Sequence, residues 1–173
     1  MFRPEKNQQE LIEIAATLPA KLDWQLWLAG DGPARATCEH LVARKKLGSR
    51  VKFPGFLRDP SPLYAAADVA VHASSSESLS NFLIEAQAHG LPAVAYQAQG
   101  IRESFVPDQT GWEIRRGDRA AFHAAVMRLA AASSNERLAR ATAARHFARS
   151  TFDPGRQVAA YLALFQQLKN NTR

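Results

Sequence analysis

The chain has 173 residues, 46% of them hydrophobic and 22% charged, a balance that suits one soluble globular domain with an ordinary core and excludes a disordered or fibrous chain. The opening MFRPEK has no apolar h-region, and no uncharged stretch free of Gly and Pro approaches the roughly 20 residues that cross a bilayer, so neither a secreted nor a membrane-spanning protein is expected. The lone Cys38 cannot close an internal disulfide or build a metal cluster, which fits a reducing compartment, and the net charge of +6 asks where the basic residues lie.

In chain order, PEKNQQELIEIAATL has helical spacing, with Leu11, Ile14, Ala15 and Leu18 on one face. WQLWLAG then reads as a short strand ending at Gly30, with Trp24 and Trp27 on its opposite faces and both expected in core or interface. The same change of period repeats. A helix near Ala34 to Lys46 leads to the strand VKF, one around Pro62 to Ala67 leads to DVAVHAS, and one near Asn81 to His89 leads to PAVAY. A last small strand, GWEI, precedes helices from about residue 118 onward, with Asp118, Ser133 with Glu136, and Asp153 before Pro154 as their starts. Arg137, Arg140, Arg145 and Arg149 share one face there. No aromatic residues interleave with them, so the stripe reads as a solvated face, with anionic lipid as the alternative partner and nucleic acid disfavoured.

Strands separated by helices imply right-handed crossovers, hence an α/β fold: a Rossmann-like parallel sheet with helices on both faces, occupying residues 1–173 as a single domain. A doubly wound sheet normally begins with its central strand, whereas this chain opens in a helix, so either the first strand is expected upstream of Met1, in a longer protein, or the sheet is built without the strand that would sit in its middle.

The stretch SESLSNFLIEAQAHGLP carries the chemistry. It runs from a strand end into a helix start, the edge of a parallel sheet at which ligands bind. The start of that helix, at Ser80, Asn81, Phe82 and Leu83, offers unpaired N–H groups and the positive end of the macrodipole, which suit a phosphate. Glu85, about one turn in, can accept hydrogen bonds from ribose hydroxyls, and Glu77 ahead of the helix can reach a second polyol. The plain alternative is a pair of solvated glutamates. Gly30, Gly55 and Gly100 weigh against it, since each follows a strand where backbone must approach something closely. Asp31 reads as a loop residue, His89 as a cation-compatible helix end, and His72 first as structural and second as a donor contact.

These residues resemble the C-terminal, donor-binding domain of the group 1 glycosyltransferases, the retaining nucleotide-sugar enzymes of glycosyltransferase family 4 with the two-domain GT-B fold. The matching motifs are RPEKN, LAGDGP, VKFPGF and the Glu77 to Glu85 pair, with HGLPAVAYQAQGIRESFVPDQTGWEI similar to the family's glycine loop and short strand. The resemblance implies catalytic roles for Glu77, on hydroxyls of the donor sugar, and for Lys6, on the diphosphate. Glu85 would hold the ribose. Ser80 and the amides of Asn81, Phe82 and Leu83, with Gly30 and Gly100, would line the donor site, and the base would lie beside Gly55 and Phe56. The implied substrate is a nucleoside diphosphate sugar, with no cofactor and no metal, since no DxD-like pair stands at a strand end.

The chain departs from the family pattern in two places. The arginine that precedes the lysine motif falls near Met1, with Arg3 out of register, and the glycine loop keeps one glycine in Gln99-Gly100-Ile101. The resemblance further implies a missing N-terminal acceptor-binding domain, a membrane-associated lipid or glycan acceptor, a cytoplasmic location peripheral to the inner face of the cell membrane, and a place in cell-envelope polysaccharide or lipopolysaccharide synthesis. This chain alone would then be inactive. A non-catalytic nucleotide-sugar-binding module acting with a separate partner is the alternative. A flavodoxin-like phosphoacceptor would need acidic residues clustered at early strand ends, which WQLWLAGDG and DVAVHASSS lack.

Overall fold

In a computed structural model that describes residues 1–171, strands and helices alternate as far as residue 114, and helices follow. The order is α1 (Gln8–Ala15), β1 (Leu26–Ala29), α2 (Arg35–Arg44), β2 (Val51–Gly55), α3 (Ser61–Ala66), β3 (Ala70–His72), α4 (Asn81–Ala88), β4 (Ala93–Tyr96), β5 (Gly111–Ile114), α5 (Arg119–Ala130), α6 (Ser134–Thr151) and α7 (Pro154–Asn171). All strand pairs are parallel, as the intervening helices require. They form two sheets rather than the one expected: β1 pairs with β2, and β3, β4 and β5 pair in that order. Among the described residues no strand bridges β1 and β3, so the middle of the sheet expected from the alternation is open.

Both sheets nevertheless feed one core. Leu28 and Val51 of the first sheet pack with Val94, Tyr96 and Trp112 of the second, around Phe2, Leu11, Ile12 and Phe122. Successive side chains of β4 point to opposite faces, and Ala93 and Ala95 enter a second cluster with Tyr64, Leu83, Leu91 and Phe105. All four residues of β4 are buried, as a parallel strand covered on both faces must be. α1 contacts α2 and α5 as well as β1 and β3, so it buries Ile12 in addition to the predicted Leu11, Ile14 and Ala15, and it ends before Leu18.

The opening residues stitch the two sheets at their carboxyl ends. The Phe2 N–H donates to the Asp31 carbonyl at 2.8 Å, after β1, and the Ser75 N–H, after β3, donates to the Glu5 carbonyl at 2.8 Å. Lys6 is thereby carried to the edge where ligands bind.

Two expectations are corrected. β1 begins at Leu26, so Trp24 precedes it; it packs against the core as expected, half-buried under the Arg50 guanidinium, 5.0 Å from the ring centre, while Trp27 is 48% exposed and donates to Gln25 Oε1. The arginines of α6 are not simply solvated either. Arg140 lies 4.7 Å over the Trp112 ring and donates to the Gln109 carbonyl, Arg137 pairs with Asp68, and Arg145 donates to the His89 carbonyl. Together with buried Ala144 and Ala148 they fasten α6 to α4 and to the loop before β5.

The caps form as the sequence predicts: Asp118 accepts from the Ala121 N–H, Ser133 and Glu136 make a reciprocal capping box, and Asp153 accepts from the Arg156 N–H. Along α7, Val158, Tyr161, Leu162 and Phe165 are exposed. No helix among the described residues is long and apolar enough to cross a membrane.

Candidate functional site

β3 ends at His72, and the loop Ala73 to Ser80 leads into α4 at the carboxyl edge of the second sheet. Small hydroxyl residues shape this loop because each can bond backbone at close range. Ser74 Oγ donates to the Glu5 and Ser76 carbonyls, at 3.0 and 2.9 Å, which ties the loop to the turn Pro4–Lys6. That tie brings together two residues far apart in sequence. Lys6 Nζ donates to Glu77 Oε1 at 2.5 Å, and His72 Nε2 stands 3.0 Å from the same oxygen.

The Glu77 side chain is 12% exposed. Burial alone would raise its pKa, but the bond and charge of Lys6, with the His72 contact, outweigh that and hold the carboxyl below the ordinary glutamate range. The His72 pKa is lowered as well, which for a base favours the neutral form: burial pushes it below the ordinary histidine value, against the pull of Glu77 and with the push of Lys6. The lowered pKa favours the neutral imidazole at neutral pH, and its Nε2 faces the carboxylate. Its other nitrogen, Nδ1, is buried without a partner among the described residues, and the ring stacks 6.1 Å from Phe82. His72 thus contacts Glu77 directly. The clue in the sequence was its place as the last strand residue before the serine-rich loop.

Ser80 caps α4, its Oγ accepting the Leu83 N–H at 3.4 Å. Ser80 and Leu83 are buried and bonded to each other, so the Leu83 N–H is taken up by the cap at the helix start. Asn81 and Phe82 are exposed and lie in the first turn, where a helix provides no acceptor for the N–H.

Glu85 is exposed. It is oriented by Tyr64, whose hydroxyl donates to Glu85 Oε2 at 2.8 Å from a largely buried ring stacked 4.9 Å from His89. Burial and the adjacent carboxylate push the Tyr64 pKa upward, so it stays a donor. Tyr64 carried no signal in the sequence beyond an apolar position on a short helix.

Gly30 and Gly55 meet where β1 and β2 end, the Gly30 N–H donating to the Gly55 carbonyl at 2.6 Å, and Phe56 next to them is 80% exposed. Gly100 has φ +74° and packs against the Ser78 backbone, so it shapes the Glu77 loop. Arg3 lies 3.8 Å from Glu5, and Asp31 accepts the Gly32 N–H within its own loop. His89 ends α4, with Nδ1 2.9 Å from the Glu85 carbonyl. Two open grooves of about 500 and 490 Å³ run along α6, lined by residues such as Gln109 and Arg140 or Arg145 and Arg149, and include none of Lys6, His72, Glu77 or Glu85. The Lys6–Glu77–His72 group lies where β3 gives way to the loop before α4, apart from those grooves.

The family model described as "Glycosyl transferases group 1" matches residues 1–132. The lipopolysaccharide core biosynthesis glycosyltransferase LpsE of Rhizobium meliloti is 34% identical over 133 residues, covering 77% of this chain and 38% of the relative. A glycosyltransferase from Rickettsia africae superposes with a TM-score of 0.91 at 20% identity, over 98% of this chain and 46% of that one. HepE of Anabaena, solved in complex with UDP-glucose, superposes with a TM-score of 0.81 at 27% identity, over 94% and 46%. The chain thus spans less than half the length of these proteins.

Proposed function

The chain belongs to the group 1 glycosyltransferases, and we propose that it is the donor-binding part of a retaining enzyme that moves a sugar from a nucleoside diphosphate to an acceptor hydroxyl in cell-envelope polysaccharide or lipopolysaccharide synthesis. The observation that carries this reading is the meeting of Lys6 and Glu77, 71 residues apart, where β3 gives way to α4. A buried carboxylate beside an ammonium, ahead of a helix start, offers an acceptor for sugar hydroxyls and donors for a diphosphate within one small area.

In this reading the diphosphate faces the Asn81 and Phe82 amides at the positive end of α4. Lys6, whose ammonium has three protons and uses one on Glu77, supplies another donor. When the bond from the anomeric carbon to the diphosphate breaks and the bond to the acceptor oxygen forms, the acceptor hydroxyl's proton passes to an oxygen of the departing diphosphate, and the charge growing on that leaving group meets a preorganised helix end and cation. No metal is required for that stabilisation. Glu77 accepts from donor-sugar hydroxyls, Glu85 from the ribose, and the base lies beside Gly55 and Phe56 against backbone. An acceptor-binding part working with this chain, and a lipid or glycan acceptor at the cytoplasmic face of the membrane, complete the reaction.

A thermal-shift titration with UDP, GDP, ADP and CMP tests the reading. A ligand at about a hundred times its dissociation constant stabilises by roughly 2.7 kcal/mol, which raises the midpoint by several degrees. A shift with one diphosphate that Glu85→Ala abolishes is expected. A cooperative melt unmoved by any of the four nucleotides would refute a donor site in this chain.

A further inference from the structure

Lys6 and His72 bond the same oxygen of Glu77, Oε1, and no protein donor bonds Oε2 among the described residues. The two donors differ in how they are held. Lys6 reaches from a short turn on a long flexible side chain that is 31% exposed, whereas His72 is the last residue of a strand, nine-tenths buried, with its ring face against Phe82. An ammonium can swing toward a diphosphate, but an imidazole so packed cannot.

We propose that His72 is the positioning residue of the donor-sugar site: its Nε2–H holds Glu77 Oε1 in place, turning Oε2 toward the sugar hydroxyls, and keeps it there when Lys6 is drawn to the diphosphate. This rests on the reading of Glu77 as the sugar contact. The tautomer follows from the geometry. With the proton on Nδ1, a buried N–H would have no acceptor and the Nε2 lone pair would face a carboxylate; with the proton on Nε2, a single buried lone pair is left unpaired. An apolar side chain could fill the same place at the strand end, so the polar nitrogen acts on Glu77 and is not needed for packing alone.

Calorimetric titration of the 173-residue chain and its variants with the matched pairs UDP and UDP-glucose, GDP and GDP-mannose, and ADP and ADP-glucose tests the role. The pair that binds is carried forward. Relative to the unsubstituted chain, His72→Leu is expected to weaken the sugar nucleotide about tenfold while the bare diphosphate stays within about twofold. His72→Gln, whose amide N–H can reach Glu77, restores most of the loss. If His72→Leu melts early, His72→Asn, too short to reach, carries the same expectation. Equal weakening of sugar nucleotide and diphosphate, or no change in either, overturns the positioning role while leaving the donor site intact. Failure of every pair to bind the unsubstituted chain overturns the donor site and this role together.

Discussion

Gly100 lies against Ser78 so closely that a Cβ on it would stand 1.9 Å from the Ser78 carbonyl oxygen. The loop after β4 therefore braces the loop that carries Glu77, and only a residue without a side chain permits the contact. Gly100 also has φ +74°, which costs an L-residue roughly 1–2 kcal/mol before any clash. Gly100→Ala is expected to lower stability by about 2 kcal/mol or more, a fall of several degrees in a thermal melt, and to weaken binding of the sugar nucleotide as the Glu77 loop moves. A melt within a degree of the unsubstituted chain would show that the loops do not brace each other.

The titrations of His72 and Glu77 set how stability depends on pH. The folded His72 pKa lies below its ordinary 6.5, so its contribution is complete above that pH and is lost as pH falls through the folded value. The folded Glu77 pKa lies below 4.5, so its contribution is lost at still lower pH. The melting midpoint is expected to fall on acidification below about pH 6.5, with His72→Leu removing the upper part of the slope. Parallel curves for the two proteins between pH 7 and 5 would contradict a buried neutral imidazole.

Tyr64 fixes the carboxylate assigned to the ribose. Tyr64→Phe keeps the ring in its cluster and removes the single bond to Glu85 Oε2, so stability should change by no more than about 1 kcal/mol. Nucleotide affinity is expected to fall about three- to tenfold, as Glu85 loses its orientation. Calorimetric titration against the diphosphate that binds decides this, and unchanged affinity would separate Glu85 from the nucleotide.

Arg119 binds Glu10 through two nitrogens, at 2.6 and 2.8 Å, while the Tyr96 hydroxyl donates to Glu10 at 3.0 Å, joining α5, α1 and β4. The Arg119 bond, against burial, holds Glu10 below the ordinary glutamate range. Arg119 is exposed, so solvent screening limits the pair, and Arg119→Ala should cost about 1 kcal/mol or less. Denaturant unfolding measures it. A loss above about 3 kcal/mol would mark the pair as functioning like a buried one.

Local signals made most of the elements legible, because helical and strand periods and caps are properties of neighbours in the chain. Asp118, Ser133 and Asp153 cap their helices as read, and the five strands fall where the period changes. Parallel topology then places the loop holding Glu77 and the start of α4 on the ligand edge, so the region of the site was also determined by sequence alone. Which groups meet there was decided in three dimensions. Lys6 reaches Glu77 because Ser74 and Ser75 bond Glu5, and Tyr64 reaches Glu85 because α3 and α4 share a cluster; no spacing encodes either contact. Whether His72 is charged, Leu83 available or Glu85 exposed depends on what packs above each, and the division into two sheets depends on which strand edges find hydrogen-bond partners. Burial and pairing are sums over distant segments, which is why the sequence marks where the chemistry lies and the tertiary structure decides which atoms perform it.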